Sequence, residues 1–218
     1  MEQTILTEQQ REVIALMATE PQMNHFYLSG GTALAEYHLK HRLSDDLDFF
    51  TEKEIDMTFL HSFSKRVQEK INAPEVRFQR LYDRNIFLFE GSGGGELKVE
   101  WTRYPFPRLE KLLSKDGILV DDLRDITANK LMAMLDRFDP KDFVDLYFLL
   151  QNRSLEKVRE DAEKKFSVKI ELLFLGSELS KVSRIKALPK IYLPVTISQL
   201  KVFFESLAES LSPSILEN

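Results

Sequence analysis

Two aspartates two positions apart have the residue type and spacing to bind a metal ion. Asp46 and Asp48 belong to SDDLDFF, whose end LDFFT is β-prone. In a strand, residues two apart project from the same face, so these carboxylates would lie together while Leu47 and Phe49 face a core. Carboxylates held that close repel each other unless a cation lies between them, and Mg²⁺ prefers oxygen ligands. The spacing predicts a Mg²⁺ site, with Asp45 pointing away as a solvated or structural charge.

A serine and two glycines come before these aspartates, with a predicted helix between them. At the start of that helix, Gly30 and Gly31 leave backbone N–H groups unobstructed beside the positive end of the helix dipole, which favours phosphate. A Gly-Gly turn or an Asp-x-Asp pair alone arises often by chance, but their combination in this order is far more specific. Together they predict a nucleoside triphosphate (NTP) substrate.

A small sheet with helices is predicted to position these residues. HFYLSGG is typical of a strand entering a turn, TALAEYHLKHR of a helix and LDFFT of a second strand. Helices are also predicted over residues 7–18 and 56–71, and strands in EVRFQRLY, NIFLFEG and ELKVEWTRY. GSGGGE joins the last two strands and lacks the Gly-Lys-Ser/Thr ending of a P-loop, so it predicts a hairpin connection.

The chain after about residue 108 is predicted to be mainly helical, following a break at the prolines of PFPRLE. Helices are predicted in DLRDITANKLMAMLDRF, in PKDFVDLYFLLQ and over residues 154–165, 169–181 and 196–211. Thr196 and Gln199 would form a capping box at the start of the last helix. We therefore expect an α+β chain, with a core domain at residues 1–106 and a helical C-terminal domain at residues 107–218.

Composition limits the class of protein. The chain has 218 residues, 43% of them hydrophobic and 30% charged, which is ordinary for a globular protein of one domain or two small ones. It has no cysteine, which excludes disulfides, thiolate metal sites and cysteine nucleophiles. The N-terminal stretch lacks signal-peptide features, and no apolar run reaches the roughly 18 to 20 residues of a membrane span. We expect a cytoplasmic protein with no membrane partner.

The net charge of −5 does not favour nucleic-acid binding over a wide surface. An RNA partner would need a local basic patch. The candidates are Lys40, His41 and Arg42, and Lys164, Lys165 and Lys169. The alternative, which we favour, is that both groups are solvated helix faces.

The stretch GGTALAEYHLKHRLSDDLDFF resembles the AbiEii/AbiGii toxin family of bacterial nucleotidyltransferases, within the DNA polymerase β-like superfamily. That family shows a GGTAL start, a His-Arg-x-Ser segment and a D-x-D-x-F close. The matching residues are Gly30, Gly31, Thr32, Ala33, Leu34, His41, Arg42, Ser44, Asp46, Asp48 and Phe50. A second family block is similar to ITANKLMAMLDRFDPKDFVDLYFLL, with Lys130, Arg137, Lys141, Asp142 and Asp145. The resemblance spans roughly residues 26–150.

This resemblance implies a minimal polymerase β-like core, in which a small mixed sheet with helices precedes a mainly helical part. It implies a two-metal mechanism, with Mg²⁺ ions held by Asp46, Asp48 and a third carboxylate while an acceptor hydroxyl attacks the α-phosphate of an NTP. We expect Glu100 to be that third carboxylate, on the same strand face as Lys98 and Thr102. Relatives more often carry Asp there, and Glu90 and Glu96 are lower-ranked alternatives.

The resemblance also implies residues that contact the nucleotide. These are Ser29, Gly30 and Gly31 for the β- and γ-phosphates, with Thr32, Arg42, Ser44 and Lys130 as further candidates. Lys130 would contact the triphosphate or the leaving pyrophosphate, unless it is an ordinary surface lysine of an amphipathic helix. Asp142 and Asp145 lie three apart on one helix face, where they either pair with Lys130 or Arg137 as a scaffold or orient the acceptor.

The implied function is transfer of a nucleoside monophosphate to RNA, including tRNA 3′ ends, or to a protein side chain. The chain would then be the toxin of a bacterial toxin–antitoxin or phage-defence system, with an antitoxin as partner. The alternative is a non-catalytic nucleotide- or partner-binding module with the same fold. The glycine turn and the candidate carboxylates are all present, which favours the enzyme.

Overall fold

The computed structural model describes residues 4–91 and 95–211, and its contacts divide the chain into two compact units. The first, here called the sheet unit, comprises the described residues within Met1–His38, Ser44–Phe106 and Lys111–Asp122. The second, here called the helical unit, comprises those within Leu39–Leu43, Pro107–Glu110 and Leu123–Asn218.

The described part of the sheet unit contains one mixed seven-stranded sheet. Its strands are β1 (Tyr27–Ser29), β2 (Leu47–Thr51), β3 (Val76–Leu81), β4 (Arg84–Glu90), β5 (Glu96–Arg103), β6 (Leu113–Lys115) and β7 (Ile118–Val120). They lie in the order β3-β4-β5-β2-β1-β7-β6. The β2–β5 and β1–β7 pairs are parallel and the other pairs are antiparallel. This order makes the two strands that carry the candidate carboxylates, β2 and β5, direct neighbours.

Three α-helical segments and a short 3-10 helix, Pro21–Met23, belong mainly to the described part of the sheet unit. The α-helical segments are α1 (Glu8–Thr19), α2 (Gly30–Ala33), which continues as a π-helix over Leu34–Leu39, and α3 (Met57–Lys70). Thr7 and Gln10 form a capping box at the start of α1, and the Asp56 side chain caps α3. Phe63 of α3 packs edge-on against Trp101 of β5, which places an aromatic core on one face of the sheet.

The helical unit contains α4 (Leu123–Asp136), α5 (Pro140–Leu149), α6 (Leu155–Phe166), α7 (Leu172–Ser180) and α8 (Ile197–Ser210). Pro140 occupies the first turn of α5, where a missing N–H costs little. Thr196 and Gln199 form the predicted capping box of α8. Phe143 and Phe204 meet edge to face in the core between α5 and α8.

The α+β class and most of the predicted elements are confirmed, with two corrections. The region predicted to be mainly helical contains the short strands β6 and β7, joined by a turn at Gly117, whose φ is 79°. The helix predicted from TALAEYHLKHR ends at Leu39, because Lys40 has a φ of 53°, so His41 and Arg42 are not helical.

Strands β4 and β5 pair antiparallel as predicted, although residues 92–94 of the glycine-rich connection lie outside the described residues. Within residues 4–91 and 95–211, no helix is long and apolar enough to cross a membrane.

Candidate active site

The register of the sheet brings Asp48 and Glu100 together. Asp48 of β2 pairs with Ser29 of β1 on one side and with Glu100 of β5 on the other. Paired residues on neighbouring strands project from the same face, so both carboxylates lie on one face of the sheet. Leu47 and Phe49 are fully buried on the opposite face, as predicted.

Asp46 lies one residue before β2 and is fixed through its backbone. Its carbonyl oxygen accepts a hydrogen bond from the Thr32 hydroxyl, which ties it to the first turn of α2. The carbonyl oxygen of Ser44 accepts a hydrogen bond of 2.9 Å from the side-chain amide of the buried Gln10. Thr32 and Ser44, predicted to bind the nucleotide, therefore hold the segment that leads into the carboxylates, and their contact with a nucleotide stays a prediction.

Lys98 places a cation among the three candidate carboxylates. Its Nζ lies 3.1 Å from Oδ2 of Asp46, 3.9 Å from Oδ1 of Asp48 and 3.7 Å from Oε2 of Glu100. Partial burial alone would lower the pKa of Lys98, but the charges of Asp48, Asp46 and Glu100 outweigh it and raise that pKa. Sequence reasoning placed Lys98 on this face and gave it no role.

Glu100 is held by two further side chains. The Arg84 guanidinium donates from Nε and Nη2 to its two oxygens, each at 2.7 Å, and the Thr102 hydroxyl donates to Oε1 at 2.6 Å. Burial by itself would raise the pKa of Glu100, which is 3% exposed, but these hydrogen bonds outweigh burial and the pKa is lowered. Glu100 is therefore an ionised carboxylate whose position is fixed by hydrogen bonds to Arg84 and Thr102. Sequence reasoning missed Arg84 because its closeness to Glu100 depends on the pairing of β4 with β5. In that register Arg84 lies opposite Thr102, two residues from Glu100.

The same carboxylates decide how well a metal ion would fit. Within the described ranges, no three His, Asp or Glu side chains are arranged so that together they could hold a metal ion. Asp46 and Asp48 fit a hard divalent cation, because both are partly exposed carboxylates that already approach one ammonium group. Glu100 fits less well, because Arg84 occupies both of its oxygens. Metal binding by all three residues stays a prediction.

The glycine turn lies beside Asp48. Gly30 has a φ of 67°, in the region that favours glycine, and begins α2 directly after β1. The hydroxyl of the preceding Ser29 donates a hydrogen bond of 2.8 Å to the buried Asp121, which follows β7. Phosphate binding by Ser29, Gly30 and Gly31 stays a prediction.

The helical unit contains a second cluster, centred on the fully buried Asp145. Its carboxylate accepts hydrogen bonds from Arg42 at 2.6 and 2.7 Å and contacts His41 at 2.7 Å and the Lys130 ammonium at 2.6 Å. Burial would raise the pKa of Asp145, but Lys130, Arg42 and His41 outweigh it and hold that pKa well below its usual range. The contacts of Arg42 give it a positioning role, and its predicted contact with a nucleotide stays untested.

Lys130 is 7% exposed, so the alternative of an ordinary surface lysine is wrong. Its ammonium also lies 3.0 Å from Asp142, which in turn contacts Arg137 at 3.1 Å. Burial would lower the pKa of Lys130, but Asp145 and Asp142 outweigh it and raise that pKa. The pairing that we considered for Asp142 and Asp145 is present, and a catalytic role for the three residues stays a prediction.

The two candidate basic patches are partly buried. His41 and Arg42 contact Asp145, and the ammonium of Lys165 lies 2.6 Å from Asp125 with neither side chain exposed. The interpretation of both groups as solvated helix faces is therefore wrong for these three residues.

The chain is similar in sequence and in fold to known proteins. The model of the family described as nucleotidyl transferase AbiEii toxin, type IV TA system, matches residues 14–208. An uncharacterized protein of Aquifex aeolicus (strain VF5) is 34% identical over 167 residues, covering 74% of this chain and 76% of that one.

Two solved structures share the fold. JHP933 from Helicobacter pylori is 20% identical, with a TM-score of 0.58 over 96% of this chain and 91% of its own. MenT4, the nucleotidyltransferase toxin Rv2826c from Mycobacterium tuberculosis H37Rv, is 17% identical, with a TM-score of 0.57 over 93% of this chain and 81% of its own.

Proposed function

Because the chain belongs to the nucleotidyl transferase AbiEii toxin family, we propose that it transfers a nucleoside monophosphate from an NTP to an acceptor hydroxyl and releases pyrophosphate. The observation that carries the proposal is the register of β2 and β5, which aligns Asp48 with Glu100 beside the glycine turn. Phosphoryl transfer depends mainly on positioning and charge stabilisation, and a rigid sheet supplies the first.

The chain's own residues have distinct roles in this proposal. Asp46 and Asp48 would hold Mg²⁺, Thr32 keeps Asp46 in place, and Arg84 keeps Glu100 ionised. Bound Mg²⁺ would supply charge neutralisation for the triphosphate and lower the pKa of the attacking hydroxyl. The backbone N–H groups at Gly30 and Gly31 would bind phosphate oxygens at the start of α2.

For the helical unit, we propose that Asp142 and Asp145 keep the Lys130 ammonium charged and fixed so that it can bind phosphate oxygens. The family block containing these residues and their ion pairs support this role. Arg42 and His41 would then act through Asp145 rather than on the nucleotide.

The family also implies an antitoxin as partner and a toxin function for this chain. The acceptor would be RNA, including a tRNA end, or a protein side chain. Two cations of the candidate basic patches, Arg42 and Lys165, are buried and ion-paired, which argues for an acceptor contacted over a small area. A tRNA 3′ end and a single protein side chain both meet that condition.

Label transfer tests the proposal. The purified protein would be incubated with Mg²⁺ and each NTP labelled at its α-phosphate, with total RNA or a cell lysate as acceptor. The Asp46→Asn/Asp48→Asn variant should transfer label at a rate lower than that of the wild type by on the order of 10³-fold or more. The Asp45→Asn variant, which changes the exposed neighbouring carboxylate, should keep the activity.

The same assay separates the enzyme from the binding module. No transfer under any condition, together with Mg²⁺-dependent stabilisation of the fold by NTP, would favour the non-catalytic alternative. Transfer that survives loss of both aspartates would contradict the proposed site.

A further inference from the structure

Lys98 and Arg84 neutralise most of the charge of the candidate metal site. The Lys98 Nζ lies within 3.9 Å of a carboxylate oxygen of each of Asp46, Asp48 and Glu100. Arg84 forms a bidentate ion pair with Glu100. Three carboxylates therefore face two cationic groups, which leaves one formal negative charge among these five side chains. A site that holds two divalent ions before its substrate arrives needs much more negative charge than this.

The position of Lys98 also limits where a metal ion could bind. The Lys98 ammonium approaches the same carboxylates of Asp46 and Asp48 that would hold Mg²⁺. A divalent ion shared by these two residues would compete with the ammonium for their oxygens and be repelled by its charge. The side chain is 26% exposed, so solvent only partly screens this repulsion.

We propose that Lys98 takes the place of a second metal ion, so that the site binds a single divalent ion and binds it well only together with the triphosphate. This inference rests on the proposed function, because it assigns a role to Lys98 toward the metal of that reaction. The triphosphate supplies the negative charge that the five side chains lack. In the metal-free protein, Lys98 keeps the three carboxylates close together and so acts as a positioning residue. The inference replaces the two-metal site that the sequence suggested.

Binding of Mn²⁺ measures this directly, without any turnover. Free Mn²⁺ would be quantified by electron paramagnetic resonance during titration of the full chain, with and without an NTP analogue that has a non-hydrolysable α–β bridge. The wild-type protein should bind one ion, weakly alone and more tightly with the analogue. Without nucleotide, Lys98→Met should bind Mn²⁺ at least about tenfold more tightly or take up a second ion, because a unit charge a few ångströms away is removed.

Two variants serve as matched controls. Lys98→Arg keeps the positive charge and should bind Mn²⁺ like the wild type. Lys65→Met removes a charge from the exposed face of α3 and should also leave binding unchanged. Lys98→Gln replaces Lys98→Met if thermal unfolding shows that the methionine variant does not fold.

Equal affinity and equal stoichiometry in the wild type and Lys98→Met would overturn the inference, as would two ions bound to the wild type or none to either protein. The proposed function fails separately. If Mn²⁺ binding follows the expected pattern while no label is transferred to any acceptor, the role of Lys98 stands and the transferase does not.

Discussion

Gly30 and Asp48 approach so closely that no side chain fits between them: an ideal Cβ on Gly30 would lie 2.5 Å from Oδ2 of Asp48. The close approach follows from the pairing of β1 with β2, which sets Ser29 opposite Asp48 just before the chain turns into α2. The glycine at the start of the family motif thus has a local structural reason, independent of phosphate binding. Because Gly30 has no side chain, the Asp48 carboxylate can keep the position that the pairing of β1 with β2 gives it.

Gly30→Ala should therefore displace Asp48. The left-handed backbone at this position costs an alanine about 1 kcal/mol, and the contact with the carboxylate adds to that. We expect label transfer to fall on the order of 10²-fold, because small displacements of reacting groups are costly. Gly95→Ala is the matched control, since a Cβ there meets no atom within 4 Å. Equal activity of both variants would contradict the positional argument.

The pair of Arg84 and Glu100 should contribute moderately to stability. Removing Arg84 takes away the bidentate partner of a carboxylate that is 3% exposed, while its contacts with the Lys98 ammonium and the Thr102 hydroxyl remain. Because the Arg84 side chain is 44% exposed, we expect a coupling free energy of about 1 kcal/mol rather than the value of a fully buried pair. A double-mutant cycle of Arg84→Met and Glu100→Gln, followed by urea unfolding, measures it. A coupling near zero would show that the pair only orients the carboxylate.

The local parts of the site were predictable from sequence, because they depend on short-range periodicity. Alternation along LDFFT correctly put Leu47 and Phe49 in the core, and the glycine turn correctly marked the start of a helix. Strands β6 and β7 were missed because each has only three residues and depends on the rest of the sheet for support.

The ion pairs of the site were not predictable in the same way. Lys98 approaches Asp46 only because β2 and β5 are neighbours in a parallel register that no local pattern specifies. Arg42 was interpreted as a solvated or nucleotide-binding cation because its partner, Asp145, is 103 residues away. Which charged side chains are buried therefore depends on ion pairs between residues far apart in the chain. A single sequence does not show which residues form those pairs.

The pH dependence of stability should contain a contribution from Asp145. Its pKa in the folded protein lies well below the value of about 3.9 for an unfolded aspartate. A lowered folded-state pKa stabilises the protein above the unfolded pKa, and this contribution is lost as the pH falls from about 4 toward the folded value. The charged or titratable groups around it include Lys130, Arg42 and His41, which contact Asp145, and Asp142 and Arg137, which are linked to it through Lys130.

Asp145→Asn separates this contribution from that of the other carboxylates. At neutral pH it should lower the free energy of unfolding by about 3–5 kcal/mol, because Lys130 and Arg42 lose a buried counter-charge. The difference in the free energy of unfolding between this variant and the wild type should narrow below about pH 4. There the aspartate of the unfolded wild-type chain takes up a proton, and the wild type loses the stability that its lowered folded-state pKa provides. Urea unfolding of both proteins between about pH 3 and pH 7 tests this. A difference independent of pH would mean that the pKa of Asp145 is the same in the folded and unfolded protein, so that the side chain acts mainly through its shape.

The ion pair of Lys165 and Asp125 should be among the costliest to break. Neither side chain is exposed, and Asp125 also accepts hydrogen bonds from the backbone N–H groups of Leu109 and Glu110. Asp125→Asn keeps the size of the side chain but leaves a buried ammonium without its counter-charge, so we expect a loss of about 3–5 kcal/mol in the free energy of unfolding. The pair of Lys157 and Glu160 is the control.

Lys157 and Glu160 lie on α6, the helix that also carries Lys165, but their side chains are 58% and 50% exposed. Lys157→Met should therefore leave the free energy of unfolding close to that of the wild type, because water screens an exposed ion pair. Thermal and urea unfolding of the two variants would give the comparison. Similar losses for both would mean that Lys165 finds water or another acceptor once Asp125 is neutral. A large loss for Asp125→Asn alone would show that this lysine, grouped in the sequence with two exposed ones, stabilises the core of the helical unit.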